Sequence, residues 1–490
     1  MKTVTHNTLF LTGASIIQKA LSFIYFTLLA RTFTADQIGA YSYSLAFTTI
    51  FSIIVDGGLT PVLIRYTAKN PERARSLLVQ VLKIKVVLLF VSAIAMFGAV
   101  YAIDAAFSTR HLIMAAAIVM IVDAFNLSAY GSLRGNQNLA YESVGMIAAQ
   151  FTSLCVVIGV VTQGAPIYWA IIGLGIGSLV NSLVALYGLS KIHDAARAAP
   201  HEISGRTFVR EATPFALAGV FARGYSFLDL LLLGSLTNFA TAGTYSIANK
   251  MTFVFQFIPL ALSASLYPAF SKMLAAGERE AVTKLWYASE RYLLLSAGVI
   301  MVVLISLRAE ILGFFGKAHV DATLTLVLLA LALVFAFMSY PVGAALNAAG
   351  LQKFQTIAMA STLLVNIAMN VALIRTFGSE GAAVSALVGN IVLFGVGAWF
   401  AHTKITPLPW AKLGTTGARI FVASIGGILA VTAIGSFITA PENGTVFEQL
   451  SVIGALSTVG GIMYLLFALA ARAISRDEIQ ELIGRLKNRL

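Results

Sequence analysis

Runs of about 20 consecutive apolar residues recur along almost the whole chain, and this pattern leaves few folds open. Fourteen are found: 9–32, 41–66, 82–103, 111–133, 142–162, 166–190, 210–236, 241–271, 287–307, 322–348, 354–376, 380–402, 413–438 and 448–473. Each is long enough to cross a bilayer as a helix, and the polar intervals between them are too short to fold on their own. Composition agrees: 58% of the residues are apolar and only 11% charged, where a soluble domain carries about a quarter charged residues. The expected fold is an all-α polytopic membrane protein of about fourteen transmembrane helices.

The chain also repeats itself. ALSFIYFTLLARTFTADQIGAYSYS, from Ala20, is echoed by GYSFLDLLLLGSLTNFATAGTYSIA, from Gly224. Ser22 and Phe23 match Ser226 and Phe227, and Gly39, Tyr41 and Ser42 match Gly243, Tyr245 and Ser246, all 204 positions apart. A second echo pairs AYGSLRGNQNLAYESV, from Ala129, with AALNAAGLQKFQTIAM, from Ala344. There Leu133, Tyr141 and Ser143 match Leu346, Phe354 and Thr356 at a separation of 213. Both echoes pair span n with span n+6, an even offset, so the halves keep one orientation. This predicts two parallel six-helix repeats facing each other across a central space, with helices 13 and 14 left over. The expected divisions are an N-terminal lobe, 1–190; a cytoplasmic linker, 191–209; a C-terminal lobe, 210–402; helices 13 and 14 within 403–474; and an amphipathic tail, 475–490.

The net charge of +12 reports sidedness rather than nucleic-acid binding. With the N-terminus placed in the cytoplasm, 24 Lys and Arg fall on inside loops and termini, among them the six from Arg65 to Lys85. Only Arg31, Arg110, Arg308, Lys317 and Arg375 fall outside, and Lys19, Arg223, Lys250 and Arg419 lie within spans. Positive charge concentrates on the cytoplasmic side, so both termini are expected there. The first run is of full spanning length and is followed by Arg31 and Thr32, which predicts a retained span and not a cleaved signal. The single cysteine, Cys155, excludes an internal disulfide and reads as a packing residue.

A charge at bilayer depth costs roughly 2.5–3.5 kcal/mol on insertion scales, so it needs a partner or a purpose. At the 204-residue offset Lys19 falls on Arg223, which places one cation in each repeat at equivalent depth. The natural use of such a pair is an anionic ligand, since Arg grips phosphate bidentately and Lys adds a point charge. Lys19, Arg223 and Lys250 are therefore the candidate cationic-cavity residues, and snorkelling or structural pairing is the bland alternative. Asp56, Asp123 and Asp229 are the candidates for ion coupling or gating. Asp56 sits in VDGGLTPVLIR beside Gly57, Gly58 and Pro61, which weaken a helix, with Arg65 as a possible neutralising partner. Asp123 and Asp229 have no acidic counterparts at the repeat offsets. Asn366 and Asn370, one turn apart, are candidate polar cavity residues, although bonding to a neighbouring helix is the commoner use of such a pair. All six histidines lie in loops or at span ends, and no metal cluster, P-loop, nucleophile elbow or paired catalytic carboxylates are found, so neither a cofactor nor an enzyme activity is expected.

LLARTFTADQIGAYSYSLAFTTIFSIIVDGGLTPVLIR, together with LNAAGLQKF and NVALIRTFGSEGAAVSALVGN, resembles the polysaccharide transporter family of the multidrug, oligosaccharidyl-lipid and polysaccharide exporter superfamily. The resemblance implies a flippase of the bacterial inner membrane, serving O-antigen or exopolysaccharide synthesis. Such a protein moves an undecaprenyl-diphosphate-linked oligosaccharide to the periplasmic leaflet by alternating access, coupled to H+ or Na+. Lys19 matches a basic position on helix one of related flippases. Tyr25 and Ile53 stand where the peptidoglycan-precursor branch has basic residues, which argues against that substrate. The implied partners are the lipid-linked oligosaccharide, membrane lipid and the polysaccharide polymerase machinery; nucleic acid is not among them. Two other readings compete: a cation-coupled exporter of small molecules on the same fold, and a membrane glycosyltransferase or polymerase using the same lipid carrier, for which the outer loops are short.

The sidedness is directly testable. In a Cys155→Ser background, Gly205→Cys is expected to react only with a thiol reagent supplied from the cytoplasmic side, and Gly444→Cys only from outside. The reverse labelling pattern overturns the topology.

Overall fold

The computed structural model describes residues 2–102, 107–191, 205–437 and 445–473. The described residues form helices and no strands. In chain order the first eight are α1 (Lys2–Thr32), α2 (Ala35–Asp56), α3 (Leu59–Lys69), α4 (Ala74–Ala102), α5 (Phe107–Gly135), α6 (Ala140–Thr162), α7 (Tyr168–Ser190) and α8 (Gly205–Leu236). They are followed by α9 (Phe239–Phe253), α10 (Phe257–Ala275), α11 (Arg279–Ser306), α12 (Arg308–Phe315), α13 (Thr323–Ala348), α14 (Gln352–Lys404), α15 (Trp410–Gly435) and α16 (Val446–Ala470). Thirteen helical segments among the described residues are long and apolar enough to span a membrane. One of them, α14, has 53 residues and would run about 80 Å if straight, far more than the ~30 Å hydrocarbon layer. It breaks at Gly378, where φ is 53°, and so contains the two expected spans 354–376 and 380–402. Glycine is needed there because a Cβ disfavours that left-handed φ. The outward faces are as apolar as the spans require: Val86, Val87, Phe90, Val91 and Ile94 on α4 all stand exposed. Cys155 is exposed too, which corrects its reading as a packing residue.

Two compact units make up the chain, Met1–Ser246 and Ile247–Leu490. The first unit includes α8, which opens the second sequence repeat but packs along α2 and α3. Leu59, Val62 and Leu63 of α3, Leu77, Leu78 and Val81 of α4, and Phe208 and Ala212 of α8 form one buried cluster. Most of the expected linker 191–209, and all of the tail 475–490, lie outside the described residues.

The repeat is written into the hydrogen bonds. Thr34 caps α2 by accepting from the Gln37 N–H at 3.3 Å, and Asn238, 204 positions on, accepts from the Thr241 N–H at 2.8 Å. Tyr41 Oη donates to Tyr25 Oη at 3.1 Å, and its counterpart Tyr245 donates to Asp229 Oδ2 at 2.9 Å. At the second offset, the turn in which Asn138 N–H bonds the Leu133 carbonyl recurs as Leu351 N–H to the Leu346 carbonyl. Gln137 and Gly350, the equivalent residues in those turns, both have positive φ, 57° and 74°. Even the aromatic pair Tyr141 and Tyr187 recurs 213 positions later, as Phe354 and Phe400.

Within the first unit, equivalent residues meet one another. Ser42 Oγ donates to Ser246 Oγ at 3.2 Å. Gly39 of α2 lies against the Phe239 carbonyl and Gly243 of α9, while Gly243 lies against the Ala35 carbonyl and Gly39. A residue that touches its own equivalent is the signature of a two-fold relation. The close approach depends on glycine, because a side chain at either position would overlap the backbone of the facing helix. Gly39→Val should therefore cost at least the 1–3 kcal/mol typical of overpacking, with a clear fall in Tm of the purified protein. Gly159→Ala, at a position with nothing within 4 Å, is the control and should leave Tm unchanged.

Candidate functional site

The second expected span is broken where VDGGLTP predicts weakness. Asp56 ends α2, Gly57 and Gly58 follow with φ of 52° and 71°, and α3 starts at Leu59. The Gly57 N–H closes α2 onto the Ile53 carbonyl at 2.8 Å. Gly58 also lets α8 come close, because a Cβ there would collide with the Ala212 carbonyl and the Ala216 nitrogen. The break leaves Asp56 pointing at α4, where Lys85 Nζ donates to its Oδ1 at 2.9 Å and the Thr60 hydroxyl to the same oxygen at 2.5 Å. Lys85 further reaches the Ala124 carbonyl at 3.3 Å.

This arrangement corrects two expectations. Lys85 does not belong to a cytoplasmic loop: it lies inside α4 with only 5% of its side chain exposed. Arg65 does not neutralise Asp56, since it pairs with Glu211 of α8, which also accepts from Tyr66 Oη at 3.0 Å. The sequence signal for Lys85 was its register. Leu77, Leu78, Val81 and Lys85 recur at helical spacing, and all four are buried.

One turn before Asp56, Ser52 is bonded by a guanidinium nitrogen of Arg223 from α8. Arg223 is half-buried, no carboxylate among the described residues pairs with it, and a guanidinium has five N–H donors, so most of its donor capacity remains for an anion. Lys19, on α1, is half-buried with no hydrogen bond or ion pair among the described residues. The first unit thus contains a satisfied buried cation, Lys85, and two cations at equivalent repeat positions whose charge no carboxylate offsets. Lys250 lies on α9 in the second unit, half-buried.

The remaining candidates are engaged in bonds. Asp123 accepts from Ser178 Oγ at 2.6 Å, and beside it Asn126 donates to the Ser178 carbonyl at 3.0 Å, fastening α5 to α7. Asp229 is buried and accepts from Tyr245, so the acid replaces the tyrosine, Tyr25, that does the same work in the first repeat. Asn366 and Asn370 are fully buried on α14, and Asn370 Nδ2 donates to Asn366 Oδ1 at 2.9 Å. Glu290, which the sequence reading passed over, is a fully buried acid on α11. Its signal was its place in LWYASERYLLLSAGV, on the same helical face as Trp286 and Leu294.

Residues 4–274, more than half of the chain, match the family described as "Polysaccharide biosynthesis protein". The chain belongs to that family. The resemblance drawn from its motifs is thereby shown, and residues 214–372 also match the family described as "MatE". Among curated relatives, "Probable low-salt glycan biosynthesis flippase Agl15" of Haloferax volcanii is 20% identical over 441 residues, covering 87% of this chain and 90% of the relative. "Succinoglycan biosynthesis transport protein ExoT" of Rhizobium meliloti is 26% identical, covering 57% of this chain and 56% of the relative. Among solved structures, "Lipid II flippase MurJ, inward closed conformation" superimposes with a TM-score of 0.73 at 16% identity, over 95% of this chain and 99% of that one. Family and fold are those of a multi-pass membrane transporter and not of an enzyme.

The ion pair at the helix break has a measurable signature. Removing one partner of a buried pair costs about 3–5 kcal/mol because the other charge is left stranded. Lys85→Met should lower Tm markedly, and the double variant Asp56→Asn with Lys85→Met should recover most of the loss in a double-mutant cycle. Additive losses would mean that the two side chains act independently.

Proposed function

We propose that this protein is a flippase that carries an undecaprenyl-diphosphate-linked oligosaccharide from the cytoplasmic to the periplasmic leaflet for surface polysaccharide synthesis. The observation that carries this reading is the pair Lys19 and Arg223, repeat-equivalent and half-buried, with no carboxylate paired to either, in a chain of this family. A diphosphate is the ligand such a pair suits: Arg223 offers bidentate N–H donors and Lys19 a compact charge, both strengthened by low-dielectric surroundings. The break at Gly57 and Gly58 supplies a hinge beside Arg223, where few φ/ψ angles need to change for α2 to bend against α3. Alternating access about such hinges, driven by an H+ or Na+ gradient, completes the proposal. Both termini lie in the cytoplasm in this scheme, and the polymerase that consumes the flipped units acts on the opposite side.

A second reading, a small-molecule exporter, draws support from the match of residues 214–372 to MatE. Two uncompensated cations oppose it for cationic cargo, since like charge within a low-dielectric site repels. The deciding measurement is transfer of a labelled undecaprenyl-diphosphate oligosaccharide across proteoliposomes, with and without an imposed gradient. Wild-type protein is expected to transfer it. Vesicles that instead move only an organic cation would favour the exporter. Lys19→Ala with Arg223→Ala should abolish transfer while leaving Tm within a degree or two, because neither side chain holds a partner charge whose loss strands another group. Transfer at the wild-type rate by this double variant overturns the cationic-site assignment.

A further inference from the structure

The second unit contains an acid with no part in the diphosphate site. Glu290 of α11 is 0% exposed, and neither carboxyl oxygen has a hydrogen-bond partner or a pairing cation among the described residues. One turn earlier on the same face, the buried Trp286 indole N–H is also unpartnered. One and two turns later, Leu294 and Gly298 line an apolar cavity of about 370 Å³ with Met338, Phe394 and Trp410. The Trp286 ring stands 6.4 Å from that of Trp410. Glu290 therefore lies one turn before Leu294 on the helix face that walls this cavity, with Trp286, the neighbour of the cavity-lining Trp410, one turn before it.

Among the described residues, the elements packed against α11 provide no compensating charge. They are α10, α12, α13, α15 and α16. On α10, Tyr267 and Lys272 are exposed. On α12, Arg308 donates to the Ile305 carbonyl and Glu310 lies beside it, both beyond the far end of α11. Tyr340 is the titratable group of α13. On α15, Lys412 lies 4.5 Å from the centre of the Tyr287 ring and Arg419 donates to the Arg472 carbonyl. On α16, Glu448 caps its own helix and Tyr464 packs on Gly298. Within α11, Lys284 pairs with Glu280 and Arg291 donates to the Ala473 carbonyl. His402 of α14, near Trp410, accepts from the Leu408 N–H and the Trp410 indole.

A carboxylate stripped of water, donors and counter-ions is strongly disfavoured, whereas the neutral acid is tolerated. Among the described residues, Glu290 belongs to no group of three or more acids, histidines and cysteines that could hold a metal ion. We propose that Glu290 is a proton-binding site of the second unit and carries the proton that couples transport to the gradient. The coupling role rests on the ion-driven clause of the proposed function. The step is a simple protonation: the carboxylate takes one proton from water on the side to which it opens, becomes a neutral acid that the closed, apolar surroundings accept, and releases the proton when it next meets water.

The test uses the full-length protein and Glu290→Gln, which keeps the side-chain size and mimics the neutral acid. In the infrared difference between wild type and variant, the carbonyl stretch of a protonated carboxyl should be present at neutral pH, vanish as pH rises, and be missing in the variant. In proteoliposomes, the variant should exchange labelled undecaprenyl-diphosphate oligosaccharide at the wild-type rate without a gradient, and lose the several-fold stimulation that an imposed pH gradient gives wild type. Glu290→Asp, which keeps a titratable group, should retain part of that stimulation. A band that is missing from wild type or insensitive to pH, or a Glu290→Gln variant still fully stimulated, overturns the proposal. Wild-type transfer that is indifferent to the gradient overturns the coupling role and the ion-driven clause together, while leaving the flippase reading and the infrared titration intact.

Discussion

A polar group inside a bilayer must find its partner within the protein, because hydrocarbon offers none. Everything distinctive in this chain follows from how that demand is met or left open. Among the described residues the backbone meets it by forming helices; the breaks after Asp56 and at Gly378 fall at glycines, and Val254–Gln256 bridges α9 and α10 as a 3-10 turn. Side chains meet it through local pairs: Lys85 against Asp56 and Thr60, Asp123 against Ser178, Asp229 against Tyr245. Among the described residues no opposite charge pairs with Lys19, Arg223 or Glu290, and in the proposed scheme a ligand or a proton is the missing partner.

Duplication explains how one sequence sets so many of these relationships. Capping at Thr34 and Asn238, the left-handed turns at Gln137 and Gly350, and the aromatic pairs ending in Tyr187 and Phe400 are each made twice with the same geometry. Divergence then becomes informative. Tyr25 and Asp229 occupy one position in the two repeats and accept from equivalent tyrosine hydroxyls, yet one is a phenol and the other a carboxyl group. The contact of Gly39 with Gly243, and of Ser42 with Ser246, marks where the symmetry is held.

In the proposed function, the break after Asp56 links this scaffold to transport. Gly57 and Gly58 free the backbone, Lys85 holds the acid at the break, and Arg223 reaches the preceding turn at Ser52. Arg65 and Tyr66 fasten the far side of the break to Glu211 on α8. A hinge flanked by polar bonds of this kind has discrete alternatives, since each bond is either made or exchanged for a ligand or water. A packed apolar contact in the same place would resist bending without offering a second state.

The sequence by itself determined the membrane class, the number of spans, the six-helix repeat and the family. Those properties rest on apolar run length and on residues matched at fixed offsets, which are one-dimensional. It also located the weak point at Asp56-Gly57-Gly58, because glycine acts through its own backbone. Tertiary structure alone decided which charges are satisfied. A lysine counted with a loop became the buried partner of Asp56, an arginine nine positions from that acid turned to Glu211, a cysteine faced outward, and two asparagines bonded each other. Glu290 gained its meaning in the same way. Helical spacing puts it on the face of Trp286 and Leu294, but whether neighbouring helices bring it a cation is a property of packing. Charge compensation acts over a few ångströms in space between residues tens of positions apart in the chain, which is why it had to await the fold.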